Sequence, residues 1–554
     1  MWPILYSSLL LCQSLDGLST YLPVKAHPGQ ITFSAPPLSQ LLEEDARLGW
    51  EARFARPIEY DFTTFRDFVW HDQDQKSSIG EMSISVPGAT GLFFALELEN
   101  TEYPMEINLE DQQGVVLDRT TLSHENKNCL LEANGNQNVR LVIKTVRGAP
   151  RNEIRLKKVF YAYRSLLSDE SDSSVLECHE NVACQTDEKI LQWSRGTTRI
   201  LRYFEEGLAW CSGSLLNSTG TKKRPFILTA FHCIDGQKPN FDFWRFDFNY
   251  RSLDCEGKYL NRDRNSLMGA VLRSSNEASD FLLLELDREI PDSYLPYYLG
   301  WNAIQQTFST TYSFHHPKGK PQMLSIDFDK VFPYQKSINW DNDVKTPAGN
   351  HLLVFFDQGT QETGSSGGPL LNENGELIGQ LHGGLPRCKK AKAYFGWFAR
   401  SLASGKDCTE RLDCWLAPGI EGLRQLPGYD PNSGSDSITG KIIDPFDKGI
   451  TSVPIALKDS EGNLTQIIQT REDGSFTFNS LDKGSYSVQP LFDLGDEKNG
   501  VQIEWVDGNK KASLIPILQS ERKYQRAKSI VPFKVITGKD MGDNQPLKFV
   551  AITQ

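Results

Sequence analysis

The sequence has no excess of positive charge, because 59 Lys and Arg stand against 71 Asp and Glu, for a formal net charge of -12. A chain of this sign repels phosphate backbones, which disfavours general nucleic-acid binding. After the first residues no apolar run approaches the roughly 18 residues of a transmembrane helix, so no internal membrane span is expected. Gly (43) and Pro (28) show no collagen-like excess. The 39% hydrophobic and 23% charged residues are typical of folded domains.

The length of 554 residues predicts three or four domains, at about 150 residues each. Residues 1–12 are mostly apolar and are followed by polar residues up to Ser19. This pattern predicts a secretory signal peptide at 1–19, although the usual positive charge at its start is missing. The alternative is a buried N-terminal strand.

The ten cysteines include no C-x-x-C pair, which disfavours a zinc site. Eight of them follow residue 173, and an even number in a chain expected to be exported predicts disulfides. Cys408 and Cys414 enclose five residues and could close a small loop. Cys129 is left over, in a segment that maturation would remove.

The pattern along the chain predicts a mainly β protein. Alternating apolar and polar positions across 30–165 predict a β-sandwich propeptide domain, and the acidic stretch 166–177 is a linker. Short apolar runs across 178–425 predict an all-β barrel domain, followed by a linker at 426–436. Evenly spaced strands at 437–495 predict a second sandwich. Residues 496–554 remain unassigned, with a basic, helix-like stretch at 510–528.

Two short motifs carry the chemistry: TAFHC at 229–233 and GSSGGP at 364–369. A serine hydroxyl becomes a good nucleophile when an imidazole accepts its proton. Ser366 is therefore the predicted nucleophile and His232 the general base. The N–H groups of Gly364 and Ser366 are predicted to form the oxyanion hole.

The imidazole also needs a carboxylate that fixes its tautomer. Asp280 stands at the start of the apolar run 281–286, between the histidine and the serine in the chain. This order fits one β-barrel that contributes His232 and Asp280 and a second that contributes Ser366. Asp280 is the predicted third member of the triad.

Together these motifs make residues 173–420 resemble a bacterial lysyl endopeptidase, within the chymotrypsin-like superfamily. The supporting segments are CSGSL at 211–215, TAFHC at 229–233, SDFLLLEL at 279–286, HHP at 315–317, GSSGGP at 364–369 and GQLHGG at 379–384. The resemblance implies a double β-barrel and the disulfides Cys178–Cys388, Cys184–Cys255 and Cys211–Cys233. It also implies that Trp340 and His382 lie beside the substrate, whereas the alternative for both is core packing. Residues 437–495 resemble a carboxypeptidase regulatory-like domain.

The segment KKAKAYF at 389–395 departs from that family. Lysine-specific members place an aspartate in this interval, and none is present here. The segment instead holds Lys389, Lys390 and Lys392, which favour an acidic residue before the scissile bond. The linker supports this, because it is acidic and no Lys or Arg occurs between Arg164 and Lys189. The alternative is an apolar pocket lined by Ala391, Ala393 and Phe395, with maturation after a leucine of the linker or by another protease.

We therefore predict a secreted serine endopeptidase made as a precursor, with specificity other than for lysine. Its partners would be protein or peptide substrates and its own propeptide, and neither metal nor cofactor is implied. The alternative from another class is a non-catalytic binding or adhesion protein on a protease-like scaffold.

Overall fold

The computed structural model describes residues 25–27, 29–50, 52–62, 67–99, 102–149, 154–164, 178–220, 223–234, 238–257, 265–340, 344–433, 436–443, 449–481, 485–490, 501–507, 510–514, 533–536 and 547–553. The predicted signal peptide at 1–19 and the linker at 166–177 lie outside these residues. The chain forms two compact units, Met1–Glu44 with Ala55–Arg164 and Asp45–Phe54 with Ser165–Gln554.

The first unit is a β-sandwich. One sheet has the order β1-β2-β5-β10-β7-β8, with β4 on β5, and the other contains β3-β11-β6-β9. Apolar residues of both sheets, such as Ile107 and Leu96, form one core. The elements are β1 Lys25–His27, β2 Gln30–Thr32, α1 Leu38–Leu48, β3 Arg53–Pro57, β4 Val69–Asp72, β5 Ser77–Ser85, β6 Gly91–Leu98, β7 Met105–Glu110, β8 Val116–Leu122, β9 Asn128–Asn134, β10 Asn138–Val146 and β11 Ile154–Ala162. Helix α1 was not predicted.

The second unit begins with a β-barrel. Its strands pair in the order β17-β16-β13-β14-β15-β19-β18. The edge strands β17 and β18 are separated along the chain only by Gly269, so the sheet curls back on itself. The elements are β12 Glu180–Asn181, α2 Glu188–Ser194, β13 Thr197–Phe204, β14 Gly207–Leu216, β15 Phe226–Ala230, β16 Arg245–Phe248, β17 Asn265–Met268, β18 Ala270–Asn276 and β19 Phe281–Leu286.

A second barrel follows in the same unit. Its order is β12-β22-β21-β27-β28-β29-β26-β23, and a bridge between Ile326 and Gln358 joins β22 to the residues just after β26. One apolar core, which includes Phe281 and Leu381, spans both barrels. The elements are β20 Gly300–Asn302, β21 Thr311–His315, β22 Met323–Asp327, β23 Phe332–Pro333, β24 Ile338–Asn339, β25 Lys345–Thr346, β26 His351–Phe356, β27 Pro369–Leu371, β28 Glu376–Leu385, β29 Ala391–Trp397, α3 Phe398–Ser401, α4 Asp413–Leu416 and β30 Gln425–Leu426.

Short 3₁₀ turns connect several of these strands and place residues of the site. They span Val182–Cys184, Phe231–Cys233, Phe241–Phe243, Glu277–Ser279, Asp292–Tyr294 and Pro317–Gly319. Four disulfides link Cys178 to Cys388, Cys184 to Cys255, Cys211 to Cys233 and Cys408 to Cys414, which are the pairs expected from the sequence.

The C-terminal strands form two further sheets, with orders β34-β31-β39-β36-β37 and β33-β32-β35-β38. They are β31 Asp436–Ile443, β32 Pro454–Lys458, β33 Leu464–Gln469, β34 Ser475–Leu481, β35 Ser485–Pro490, β36 Val501–Asp507, β37 Lys510–Leu514, β38 Phe533–Ile536 and β39 Leu547–Thr553. The sheets therefore extend beyond the predicted 437–495 into the residues left unassigned. The helix expected from 510 is wrong at its start, where β37 pairs with β36.

The predicted linker at 426–436 is not a free connection. The backbones of Tyr298 and Tyr429 pair, and Asp430 forms an ion pair with Arg195. The chain there is held to the double-barrel part of the second unit before β31 begins. No helix among the described residues combines the length and apolar character needed to cross a membrane.

Candidate active site

His232 lies in the turn that directly follows β15. The Cys211–Cys233 disulfide ties this turn to β14. Phe231 N donates to Asp280 O at 2.9 Å, which holds the turn against the start of β19. Backbone and covalent contacts on both sides of His232 therefore fix its position.

Asp280 is brought to His232 by strand pairing, since Ala230 at the end of β15 pairs with Phe281 at the start of β19. Its backbone has a positive φ of 54°, and the residue is 1% exposed. Asp280 Oδ1 accepts from His232 N at 2.9 Å, and both carboxylate oxygens lie 3.0–3.1 Å from His232 Nδ1. A carboxylate at Nδ1 leaves the proton-accepting lone pair on Nε2.

Ser366 lies in the loop between β26 and β27, against the end of the histidine-bearing strand. Ser212 N donates to Ser366 O at 2.7 Å, and Thr229 Oγ1 donates to the carbonyl of the same Ser212 at 2.7 Å. Gly367 N donates to Leu381 O at 2.8 Å. No hydrogen bond joins Ser366 Oγ to the His232 ring within the described residues. In apo enzymes such bonds often tighten only when substrate binds.

The backbone N–H groups of Gly364 and Ser366 donate to no other group in the described part of the chain. Gly364 has φ of +93°, and a Cβ there would come within 2.8 Å of Lys318 N and 3.0 Å of His316 O. Only glycine fits this backbone. Two donors beside Ser366 are thus left for an external acceptor.

The pair Trp340 and His382 lies against Asp280. The rings of Trp340 and His382 stack with centroids 3.6 Å apart, and His382 Nδ1 lies 3.2 Å from Asp280 Oδ2. Burial holds the pKa of His382 well below its usual range, with contributions from His232 and His351. A neutral His382 adds no second positive charge beside Asp280. The structure thus places both residues at the site, in packed positions.

His351 is a residue of this site that the sequence reasoning missed. Its Nε2 lies 3.0 Å from His382 Nδ1, and burial lowers the pKa of His351 to about 4. No motif marks His351, because it starts an ordinary apolar strand.

Ala393 does not line the site, which corrects its prediction as a substrate-binding residue. Side chains alternate along β29, so Ala391, Ala393 and Phe395 point into the barrel core and are fully buried. Lys392 and Tyr394 point to the opposite face. The apolar pocket predicted from the three core residues is therefore wrong in its lining.

The three lysines of the departing segment differ in environment. Lys389 is exposed, and Lys390 Nζ lies 2.8 Å from Asp329 Oδ2 and 2.5 Å from Asp357 Oδ1. Lys390 is thus engaged elsewhere. Lys392 Nζ lies 4.7 Å from the Tyr394 ring, which packs edge-on against Trp340.

Two groups of side chains have the spacing of metal ligands. His232, Asp280 and His382 offer ligand atoms within 4.8 Å of one another, and so do Asp327, Asp329 and Asp357. In the first group His232 Nδ1 hydrogen-bonds to Asp280, and His382 Nδ1 hydrogen-bonds to His351 Nε2. In the second the Lys390 ammonium pairs with two of the carboxylates.

Two β-barrels, with histidine and aspartate on the first and a serine loop on the second, define the chymotrypsin-like serine protease fold. The predicted fold class is confirmed. Residues 172–398 match the model of the family described as "Lysyl endopeptidase, C-terminal domain".

Two known proteins are similar in sequence to parts of the chain. A lysyl endopeptidase of Pseudomonas aeruginosa is 27% identical over 219 residues, covering 38% of this chain and 44% of that protein. The serine-aspartate repeat-containing protein D of Staphylococcus aureus strain Newman is 39% identical over 158 residues, covering 26% and 12%. The chain thus spans less than half the length of either relative.

Solved structures of proteases also resemble the chain. The active form of the Rv3671c protease from M. tuberculosis has a TM-score of 0.27 at 14% identity, covering 42% of this chain and 88% of that one. The thermostable serine protease AL20, from an extremophilic microorganism, has a TM-score of 0.27 at 13% identity, covering 37% and 92%.

Proposed function

We propose that the protein is a serine endopeptidase that hydrolyses peptide bonds through an acyl-enzyme at Ser366. The observation that carries the proposal is the His232–Asp280 pair, fixed at two hydrogen-bonding atoms, with the serine loop anchored beside it. This arrangement supplies a base, its orienting carboxylate and a nucleophile from three separate parts of the chain.

In the proposed reaction, His232 Nε2 accepts the Ser366 hydroxyl proton as Oγ attacks the substrate carbonyl carbon. The developing oxyanion accepts hydrogen bonds from the N–H groups of Gly364 and Ser366. His232 then gives its proton to the leaving amine, and a water molecule hydrolyses the acyl-enzyme by the same steps. Asp280 stays ionised and stabilises the imidazolium.

The test uses a fluorophosphonate probe together with a casein assay. We expect the probe to label Ser366 and not the neighbouring Ser365, as read by peptide mapping, and casein hydrolysis to disappear in Ser366→Ala. A chelator such as EDTA should leave the activity unchanged, since each proposed step uses a side chain or backbone group. A folded protein that is not labelled, or equal hydrolysis by Ser366→Ala, would favour the non-catalytic binding protein.

We propose further that the protein is exported as a precursor. The four disulfides support an oxidising compartment, because such bonds are rare in reducing cytosol. N-terminal sequencing of the exported protein is expected to give a start within the linker 166–177. A start before residue 30 in the active form would contradict the role of the N-terminal sandwich as a propeptide.

For specificity we propose an acidic residue before the scissile bond, bound by Lys392. Lys392 shares a face of the sheet with Tyr394, which contacts Trp340 and so leads to the triad. Lys392 has no carboxylate partner in the described part of the chain. A cation within a binding site favours a carboxylate ligand. The lysine specificity implied by the relative's name is not proposed for this chain, because no acidic residue lies on this face of β29.

Peptides that differ only in Glu, Leu or Lys before the cleaved bond test this specificity. We expect the Glu peptide to have the highest kcat/KM, and Lys392→Ala to remove that preference. Lys390→Ala is the matched control, since its charge is already paired with Asp329 and Asp357. A leucine or lysine peptide cleaved fastest would reject the proposal.

A further inference from the structure

A buried contact between His179 and Glu362 lies outside the triad and joins the start of the double-barrel domain to the serine loop. His179 Nε2 lies 2.8 Å from Glu362 Oε2, with side chains only 6% and 8% exposed. Lys318 Nζ approaches the other carboxylate oxygen at 3.6 Å. His179 follows Cys178 directly, and the Cys178–Cys388 disulfide anchors that end of the domain. Glu362 is therefore held at both oxygens by fixed neighbours.

Glu362 also forms the turn that leads into Ser366. Ser365 N donates to Glu362 O at 2.9 Å, and Glu362 N donates to Ser365 Oγ at 3.2 Å. Gly364 lies inside this turn, and its N–H is one of the two donors left for an external acceptor. The position of the Glu362 backbone thus sets the direction of the donors at Gly364 and Ser366.

A second set of contacts holds the same loop through hydrogen bonds between neutral groups. Ser365 Oγ is 2.9 Å from His315 Nδ1, His315 Nε2 is 3.1 Å from Ser325 Oγ, and Ser325 Oγ donates to Thr360 O at 2.9 Å. Burial keeps the pKa of His315 well below its usual range, so the ring is neutral. This relay fixes Ser365 but does not reach the Glu362 carboxylate, which depends on His179 and Lys318.

We propose that Glu362, held by His179, is a positioning residue for the two oxyanion-binding N–H groups, an inference that rests on the proposed protease function. Without the His179–Glu362 contact, residues 362–366 would sample arrangements in which these donors no longer converge. Transition-state stabilisation would fall, whereas binding of the ground-state substrate would persist, because the oxyanion forms only during reaction.

The experiment compares Glu362→Gln and His179→Gln with the wild type in the full chain. Glu285→Gln is the matched control, since this glutamate is 14% exposed and paired with Arg224 and Arg273 on the first barrel. Three quantities are measured: kcat and KM on a chromogenic peptide amide, the affinity for a peptide boronic acid, and Tm. The boronate forms a tetrahedral adduct and so reports the oxyanion donors directly.

We expect Glu362→Gln to lower kcat by about 10- to 100-fold. This is less than the roughly 10²–10³-fold loss caused by removing one oxyanion donor, because here the donors are displaced and not removed. Boronate affinity should fall by a similar factor, with KM within about threefold of wild type. His179→Gln should act in the same direction, and the double variant should be little worse than the more affected single variant, because both break one contact. Glu285→Gln should leave kcat and boronate affinity within about threefold.

Unchanged kcat and boronate affinity in both Glu362→Gln and His179→Gln would overturn the inference, as would an equal loss in Glu285→Gln. If Glu362→Gln does not fold, His179→Gln decides, since it removes the same pair from the other side. A wild type whose Ser366 is not labelled by fluorophosphonate would instead reject the proposed function, so the two failures are distinguishable.

Discussion

At the scale of residues, the buried histidines of the double-barrel domain make its stability depend on pH. His351 is 1% exposed, and burial lowers its pKa to about 4 from an ordinary value of 6.5. Between these values the unfolded chain binds a proton that the folded chain does not. The contribution of neutral His351 to the free energy of unfolding is therefore fully present above pH 6.5. It is lost as the pH falls through 4.

We predict that His351→Gln flattens this acid dependence. The shift corresponds to about 3 kcal/mol of free energy of unfolding between pH 7 and the acid limit. The drop in Tm of the catalytic domain from pH 7 to pH 4 should therefore be several degrees smaller in the variant than in wild type. In the full-length chain the exposed His124 of the first unit gives the control, because His124→Gln should leave the drop unchanged. An equal drop in wild type and His351→Gln would show that His351 does not titrate in this way.

The sequence allowed candidate residues to be chosen where they stand in local motifs, but it did not show contacts between residues far apart in the chain. His232, Asp280 and Ser366 stand in motifs whose neighbours shape the backbone around them. His351 meets His382 across 31 positions, and His179 meets Glu362 across 183. Such pairs depend on how the strands assemble, and nothing in the flanking residues marks them. Ala393 was misassigned for a related reason, since the face of β29 is fixed by its register with β26 and β28.

At the scale of elements, the Cys211–Cys233 disulfide connects β14 to the histidine turn across 22 positions. Cross-linking a loop of this size stabilises a protein by about 3 kcal/mol. We predict that the double variant Cys211→Ala/Cys233→Ala loses about that much stability and also loses activity, because the bond abuts His232. Urea unfolding and casein hydrolysis measure the two effects.

The Cys408–Cys414 bond is the control for that prediction. It spans only 6 positions, so its removal should cost about 2 kcal/mol and leave kcat unchanged. If removing Cys211–Cys233 lowered stability but not kcat, the bond would have no part in holding His232.

Strand prediction succeeded where apolar runs are short and bounded by polar residues. β15, β19 and β26 fall within or on the runs identified from the sequence. Helix α1 was missed because it lies in a domain whose remaining pattern alternates. β37 was missed because its lysines mask the strand pattern, and its place depends on pairing with β36.

At the scale of the whole molecule, an ion pair between Arg195 and Asp430 joins regions near the two ends of the double-barrel domain. Asp430 Oδ2 accepts from Arg195 and, at 2.9 Å, from Gln192 Nε2, both at the end of α2. Asp430 Oδ1 accepts from Asn432 N at 2.9 Å, which fixes the chain just before the C-terminal strands. The sequence suggested a flexible linker here from its Gly, Pro and Ser content, but composition cannot show that one carboxylate anchors the segment.

Breaking this contact tests whether residues 427–433 stabilise the double-barrel domain or only connect it to the C-terminal strands. The Arg195 and Asp430 side chains are 16% and 7% exposed, so removing one charge leaves the other largely desolvated. We predict that Asp430→Asn lowers the free energy of unfolding by about 3 kcal/mol, with kcat unchanged, because none of its partners belongs to the site. Asp329→Asn, at an exposed pair with Lys390, should have no measurable effect on Tm. Denaturant unfolding with a parallel peptide assay measures both. A stability of Asp430→Asn equal to that of Asp329→Asn would mean that residues 427–433 merely connect the domains, as their composition first indicated.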